Sequence, residues 1–128
     1  MPRPDFVLPA DSQGEFLTPE RCYIMELFNA PDCPQSSIAR ARVEPGVTTQ
    51  LHSLTGVREI YVIESGEGIV EIDGKQARVG LGDRVDIPAG TPQRITNTGK
   101  GDLIFLCLCV PRFKPETYRN LEPAGPDP

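Results

Sequence analysis

Every apolar run in this chain is short and is bounded by turn residues. The runs are Cys22 to Phe28, Ser37 to Val43, Glu59 to Ile63, Gly68 to Ile72, Gln76 to Val79, Arg84 to Ile87, Arg94 to Thr96 and Leu103 to Val110. The 14 prolines and 12 glycines, about a fifth of the 128 residues, are spread between these runs, so they mark turns and not a linker. Asp73-Gly74 lies between two runs and suits a tight hairpin with positive φ. Gly66, Gly68, Gly82-Asp83, Ala89-Gly90 and Gly101-Asp102 punctuate the remainder at roughly 8 to 12 residues, the spacing of antiparallel sandwiches and barrels. No window sustains a 3.6-residue apolar stripe beyond two turns, and one short helix is expected around Glu116 to Leu121. The expected fold is therefore all-β, a jelly-roll barrel or two-sheet sandwich that closes its sheet edges. Residues 1–19 read as an arm, 20–121 as the barrel and 122–128 as a disordered Pro-rich tail.

The length allows one core and excludes two domains. Thirteen Lys and Arg against 18 Asp and Glu give a net charge of −5, the wrong sign for nucleic acid or an anionic membrane. No segment reaches the roughly 20 apolar residues of a membrane span, and the N-terminus has no signal-length apolar stretch. A cytoplasmic protein with Cys22, Cys33, Cys107 and Cys109 as reduced thiols is expected. There is one histidine, His52, so all imidazole chemistry of a single chain runs through it.

Two stretches carry polar residues in apolar company. In the strand expected from Glu59, strand parity puts Glu59, Tyr61 and Ile63 on one face. A carboxylate there needs a partner, and His52 is the nearest candidate across the loop. In the second stretch, Gln93, Ile95 and Asn97 share a parity after the turn at Pro88-Ala-Gly90.

Together the stretches resemble the paired motifs of the cupin superfamily. The first motif places Gly, five residues, His-x-His, three or four residues, Glu, six residues and Gly; Gly46, His52, Glu59 and Gly66 match, with Leu54 at the second His. The second places Gly, five residues, Pro-x-Gly, two residues, His, three residues and Asn; Gly82, Pro88, Gly90 and Asn97 match, with Gln93 at the His. The resemblance covers residues 46–97 and implies a cupin-type antiparallel jelly-roll barrel. It also implies a cup for a small organic ligand, a sugar or organic acid, with a divalent metal (Mn, Fe, Ni or Zn) held by His52, Glu59 and Gln93. Isomerase, epimerase or lyase chemistry and a homodimer are further expectations from the resemblance. The apolar run Leu103 to Val110 suits such association. Two of the family's imidazoles are replaced, which argues against a nitrogen-rich iron site.

Several readings stand side by side. His52 and Glu59 are a mutually satisfied pair, metal ligands, or a metal-free acid and base. A metal-free, non-enzymatic ligand binder or sensor is the alternative to the metal-supported reading. Gln93 points inward or caps its turn; Tyr61 offers its phenol to a ligand or packs. Arg40 and Arg42 share a strand face, an anion site if that face lines the cavity and a solvated or subunit-facing surface otherwise. Cys107 and Cys109 share a strand face as buried thiols.

Overall fold

The computed structural model describes residues 3–10 and 14–123. Among them lie eleven strands: β1 (Phe16–Leu17), β2 (Tyr23–Phe28), β3 (Ser37–Val43), β4 (His52–Leu54), β5 (Arg58–Ser65), β6 (Glu67–Ile72), β7 (Lys75–Gly80), β8 (Arg84–Ile87), β9 (Gln93–Asn97), β10 (Leu103–Val110) and β11 (Tyr118–Asn120). All eight expected strands are present, with ends moved by at most two residues. Strands β1, β4 and β11 have two or three residues each, too few to show alternation in sequence. The helix expected at Glu116 to Leu121 is absent. A 3-10 turn at Pro115–Thr117 leads into β11, which pairs with β4 through Tyr118 to Leu54 and Asn120 to His52. The free edge of β4 supplies ladder hydrogen bonds that override weak local helical preference.

The strands form two antiparallel sheets, β1-β2-β3-β10-β5-β8 and β11-β4-β9-β6-β7, in a jelly-roll arrangement. Their inner faces meet over Val43, Ile63, Ile87, Ile95 and Leu103, each at most 1% exposed. Burying each such side chain contributes about 1.5–3 kcal/mol. Asp73 and Gly74, at φ 50° and 80°, make the β6–β7 hairpin turn. The chain leaves one sheet for the other at Gly66, between β5 and β6. Its φ is 87°, and a Cβ there would stand 2.7 Å from the Asp102 carbonyl oxygen, so the corner admits only glycine.

Asn97 joins the sheets. Its Nδ2 donates to the carbonyls of Val43, at the end of β3, and Gly101, and its Oδ1 accepts from the Gly99 amide. Its backbone carbonyl accepts from the amide of Gly46, so the end of the second motif is tied to the start of the first.

Parts of the expected arm and tail are tied to the sheets. In the expected arm, β1 pairs with β2, and the Glu15 carboxylate binds the Arg42 guanidinium at 2.7 Å. Glu122, expected in the loose tail, binds Arg21 at 2.6 Å and accepts from the Leu51 amide. Residues 124–128 of that tail lie outside the described residues.

Asn97→Ala removes three hydrogen bonds and strands the Val43 carbonyl beside the core. It is expected to lower stability by about 2–4 kcal/mol. The measurement is the urea midpoint, which should fall at unchanged m-value.

Candidate functional site in the barrel cavity

A cavity of about 540 Å³ is lined by residues of both sheets. Its exposed lining residues Phe16, Pro19 and Pro115 mark the mouth, and the buried His52, Glu59 and Tyr61 mark the floor. Strand parity builds that floor. In β5 the side chains of Glu59, Tyr61 and Ile63 are buried while Arg58, Ile60 and Val62 alternate outward. In β10 the alternation turns Phe105, Cys107 and Cys109 inward.

His52 stands opposite Gln93 in the single β4–β9 pair and is 5% exposed. Its Nδ1 donates to the Gln50 carbonyl at 2.7 Å, since a carbonyl can only accept. In the neutral ring this fixes the tautomer and leaves the lone pair on Nε2. The ring stacks on Tyr118 with centroids 4.8 Å apart. The carboxylate of Glu20 lies 3.9 Å from Nδ1. Tyr118 donates its hydroxyl to Gln50 Oε1 at 2.6 Å.

Glu59 is 7% exposed, and its Oε1 has no hydrogen-bond partner. Its Oε2 takes only a thiol contact, 3.7 Å from Cys109 Sγ. Burial pushes the carboxyl up to about 7 from an ordinary 4.5, and the Gln93 amide and the thiols of Cys109 and Cys107 oppose this less strongly. Of the three readings of His52 and Glu59, the mutually satisfied pair does not form. Each imidazole and carboxylate contact among the described residues goes elsewhere.

Gln93 points inward, 1% exposed, but it lies behind the cavity wall, where its Oε1 accepts the hydroxyl of Tyr61. Tyr61 lines the cavity with its ring packed against Phe105, and burial holds its phenol protonated. Leu54, at the family's second His position, is an apolar wall residue. Arg40 and Arg42 take the outward parity of β3, while Ala39 and Ala41 line the cavity. The conditional anion site is thereby corrected: Arg42 is spent outside on Glu15, Asp102 and the face of the Tyr23 ring. Among the described residues no Lys or Arg lines the cavity.

Sequence reasoning missed Glu20, Glu26, Cys22 and Tyr118, all on the wall. Glu26 was findable, because Cys22, Ile24 and Glu26 share a parity in the same way as Glu59, Tyr61 and Ile63. Glu20 and Tyr118 sit on irregular or very short segments that show no period.

A metal held by His52, Glu59 and Gln93 needs three convergent free lone pairs. His52 Nε2 and Glu59 Oε1 offer two. The third is absent, because the Gln93 oxygen is engaged by Tyr61 and does not reach the cavity. Burial pushes the thiols of Cys22, Cys107 and Cys109 up from their ordinary value. Among the described residues no group of three or more His, Cys, Asp or Glu is placed to hold a metal ion. The donor set does not fit a resident metal.

Two antiparallel sheets rolled around a cavity, with floor residues drawn from the first glycine-punctuated stretch and braced from behind by Gln93 of the second, define a small β-barrel cup. Residues 39–109 match the family described as the cupin domain, and the chain belongs to the cupin family. An uncharacterized protein of Methanocaldococcus jannaschii is 34% identical over 114 residues, 88% of this chain and 91% of that one. An oxalate-binding protein of Thermotoga maritima is 38% identical over 72 residues, 56% of this chain and 60% of that one. Among solved structures, a T. maritima protein described as a predicted oxalate decarboxylase has a TM-score of 0.65 at 32% identity, covering 70% of this chain and 79% of that one. The nucleoside dehydratase Pac13 has a TM-score of 0.74 at 15% identity, covering 90% and 91%, a likeness of fold. One of these relatives is thus named for binding a small molecule, oxalate.

The raised Glu59 carboxyl has a defined consequence for stability. Between about 4.5 and 7 the folded chain keeps a proton that the unfolded chain releases. Stability is therefore greatest below that window, falls as pH rises through it and levels off above about 7, an amplitude of about 3 kcal/mol. Glu59→Gln, neutral throughout, removes this component. Urea melts of both proteins from pH 4 to 8 should show the variant gaining on the parent up to about pH 7. A difference that does not change with pH contradicts the assignment.

Proposed function

We propose that this chain is a metal-free small-molecule-binding cupin whose ligand donates a hydrogen bond to Glu59 at the cavity floor. The observation that carries this is the unpartnered Oε1 of a buried carboxyl on the wall of an otherwise largely apolar cavity. A cavity of about 540 Å³ lies within the range of small-ligand sites. The wall presents the Glu59 and Glu20 acceptors, while the Tyr61, Tyr118 and His52 Nδ1 hydrogens are spent on Gln93, Gln50 side chain and Gln50 backbone. A sugar hydroxyl meets such a wall favourably. A free organic acid does not, because Glu20 and Glu59 face it with no lining cation.

The same groups support proton transfer. A carboxyl near 7 and an imidazole Nε2 lone pair suit a general base at neutral pH, the chemistry of isomerisation, epimerisation or elimination. Glu59 and His52 would carry it, with Tyr61 and Gln93 holding the floor's geometry. The non-enzymatic binder or sensor uses the same contacts without turnover. A second reading, a divalent cation (Mn, Fe, Ni or Zn) between His52 and Glu59 with Gln93 released from Tyr61, is favoured by the same orphaned Oε1. An acid such as oxalate would then bind through the cation.

Metal-stripped protein decides between these. Thermal melts with Mn, Fe, Ni or Zn salts, and with oxalate alone, are expected to leave Tm unchanged. A rise with any of these metals that His52→Ala abolishes, or a rise with oxalate only when Mn is present, overturns the metal-free reading.

Association of two copies is the proposed assembly, in a cytoplasmic setting that the four free thiols support. Strand β10 is apolar on both faces, the pattern of a strand covered twice. Its outward Leu106 and Leu108 stand in register with Val62 and Ile60 of β5, and Leu108 with Ile38 of β3. Around them Arg40, Arg58, Glu64 and Asp86 provide both charge signs, as a two-fold, self-complementary contact requires. No helix among the described residues is long and apolar enough to cross a membrane. Sedimentation velocity is expected to give a dimer, and Leu108→Glu a monomer with unchanged circular dichroism.

A further inference from the structure

Resting on the small-molecule reading above, we infer that the cavity selects an organic ammonium ion, a cation carried on an apolar body. Three carboxyl side chains line it: Glu59 on the floor, and Glu20 and Glu26 on the wall. No lining Lys or Arg among the described residues neutralises them. Clustered carboxyls alone do not make a site, but Glu59 adds an independent observation. It is more than nine-tenths buried, lines the cavity, and leaves Oε1 without any donor. A neutral ligand hydroxyl answers that acceptor with one hydrogen bond. An ammonium N–H answers it with a charge-assisted bond and offsets the buried anion as well.

The rest of the wall fits the same ion. Aromatic rings of Tyr61, Phe105, Phe113 and Tyr118 surround the floor, and Phe16 stands at the mouth. Aromatic faces attract cations through their quadrupole and pack against the ligand's hydrocarbon, whereas they give an anion nothing. His52 completes the acceptor side. Its Nδ1 hydrogen is held by the Gln50 carbonyl, so in the neutral form the ring's remaining nitrogen, Nε2, is an acceptor. An ammonium ligand therefore finds acceptors at the floor, aromatic side chains around it and no lining Lys or Arg among the described residues.

The test compares three ligands of similar size by calorimetry on metal-stripped protein at pH 8: phenethylamine, 2-phenylethanol and phenylacetate. The ammonium is expected to bind at least tenfold tighter than the alcohol, and the carboxylate not to bind. Glu59→Gln should cost the ammonium tenfold or more and the alcohol clearly less, because the Gln carbonyl still accepts a hydroxyl but carries no charge. Glu20→Gln, nearer the mouth, should cost it severalfold and guards against misfolding of the first variant. Equal affinity for amine and alcohol, or an amine affinity indifferent to both substitutions, overturns the ammonium assignment and leaves the small-molecule reading standing. Failure of all three ligands to bind at millimolar concentration overturns both. Tighter binding of phenylacetate than of the amine overturns the charge argument outright.

Discussion

The fold turns on a single buried amide. Asn97 reaches from β9 in one sheet to the end of β3 in the other, and its three side-chain hydrogen bonds satisfy groups that no ladder can reach. Two facing sheets meet mainly through non-directional apolar contact, which holds them together without fixing how they slide. The amide supplies direction. Its backbone carbonyl also receives the Gly46 amide, so the strand that ends at Asn97 sets the start of the segment leading to His52. Position along β9 and position of the imidazole are thus coupled before any ligand is considered.

Within that frame the cup separates scaffold from chemistry. Gly46, Gly66, Gly82 and Gly90, the glycines shared with the cupin motifs, all adopt positive φ, so these motif positions are requirements of the backbone. The ligand positions obey no such requirement. Leu54 replaces one imidazole with an apolar wall, and Gln93 turns its amide oxygen to Tyr61 behind the cavity. The barrel survives these replacements because both positions keep ordinary strand backbone, whose ladder bonds do not depend on the side chain. What remains is a carboxyl with an unmet acceptor, an imidazole whose Nδ1 donates to a backbone carbonyl and aromatic walls, an environment that favours a hydrogen-bond donor over an anion.

Much of this was legible from the chain, by identifiable physics. Alternation placed Glu59 with Tyr61 and Gln93 with Asn97 on inner faces, because the strand period of two admits no intermediate. Asp73-Gly74 announced its hairpin through the need for positive φ. The helix expected after Glu116 failed because β4 presents an open edge that only the folded chain contains. Arg40 and Arg42 had a shared face but no readable side, since small alanines and long arginines alternate and either set could line a cavity. The partners of His52 escaped for a related reason. Its nearest acceptor is a backbone carbonyl two residues away, and no side-chain pattern records that.

By itself, then, the sequence determined the all-β class, the turn positions, the parity of the strands and the lone imidazole, because these depend on local sterics and on a short repeat. Tertiary structure alone decided which strands face one another, that Glu59 keeps an unpaired oxygen while Gln93 is withdrawn, and that Glu20, Glu26 and Tyr118 share its cavity. The physical reason is that hydrogen-bond satisfaction and burial are properties of groups far apart in the chain, settled only when the two sheets close on each other.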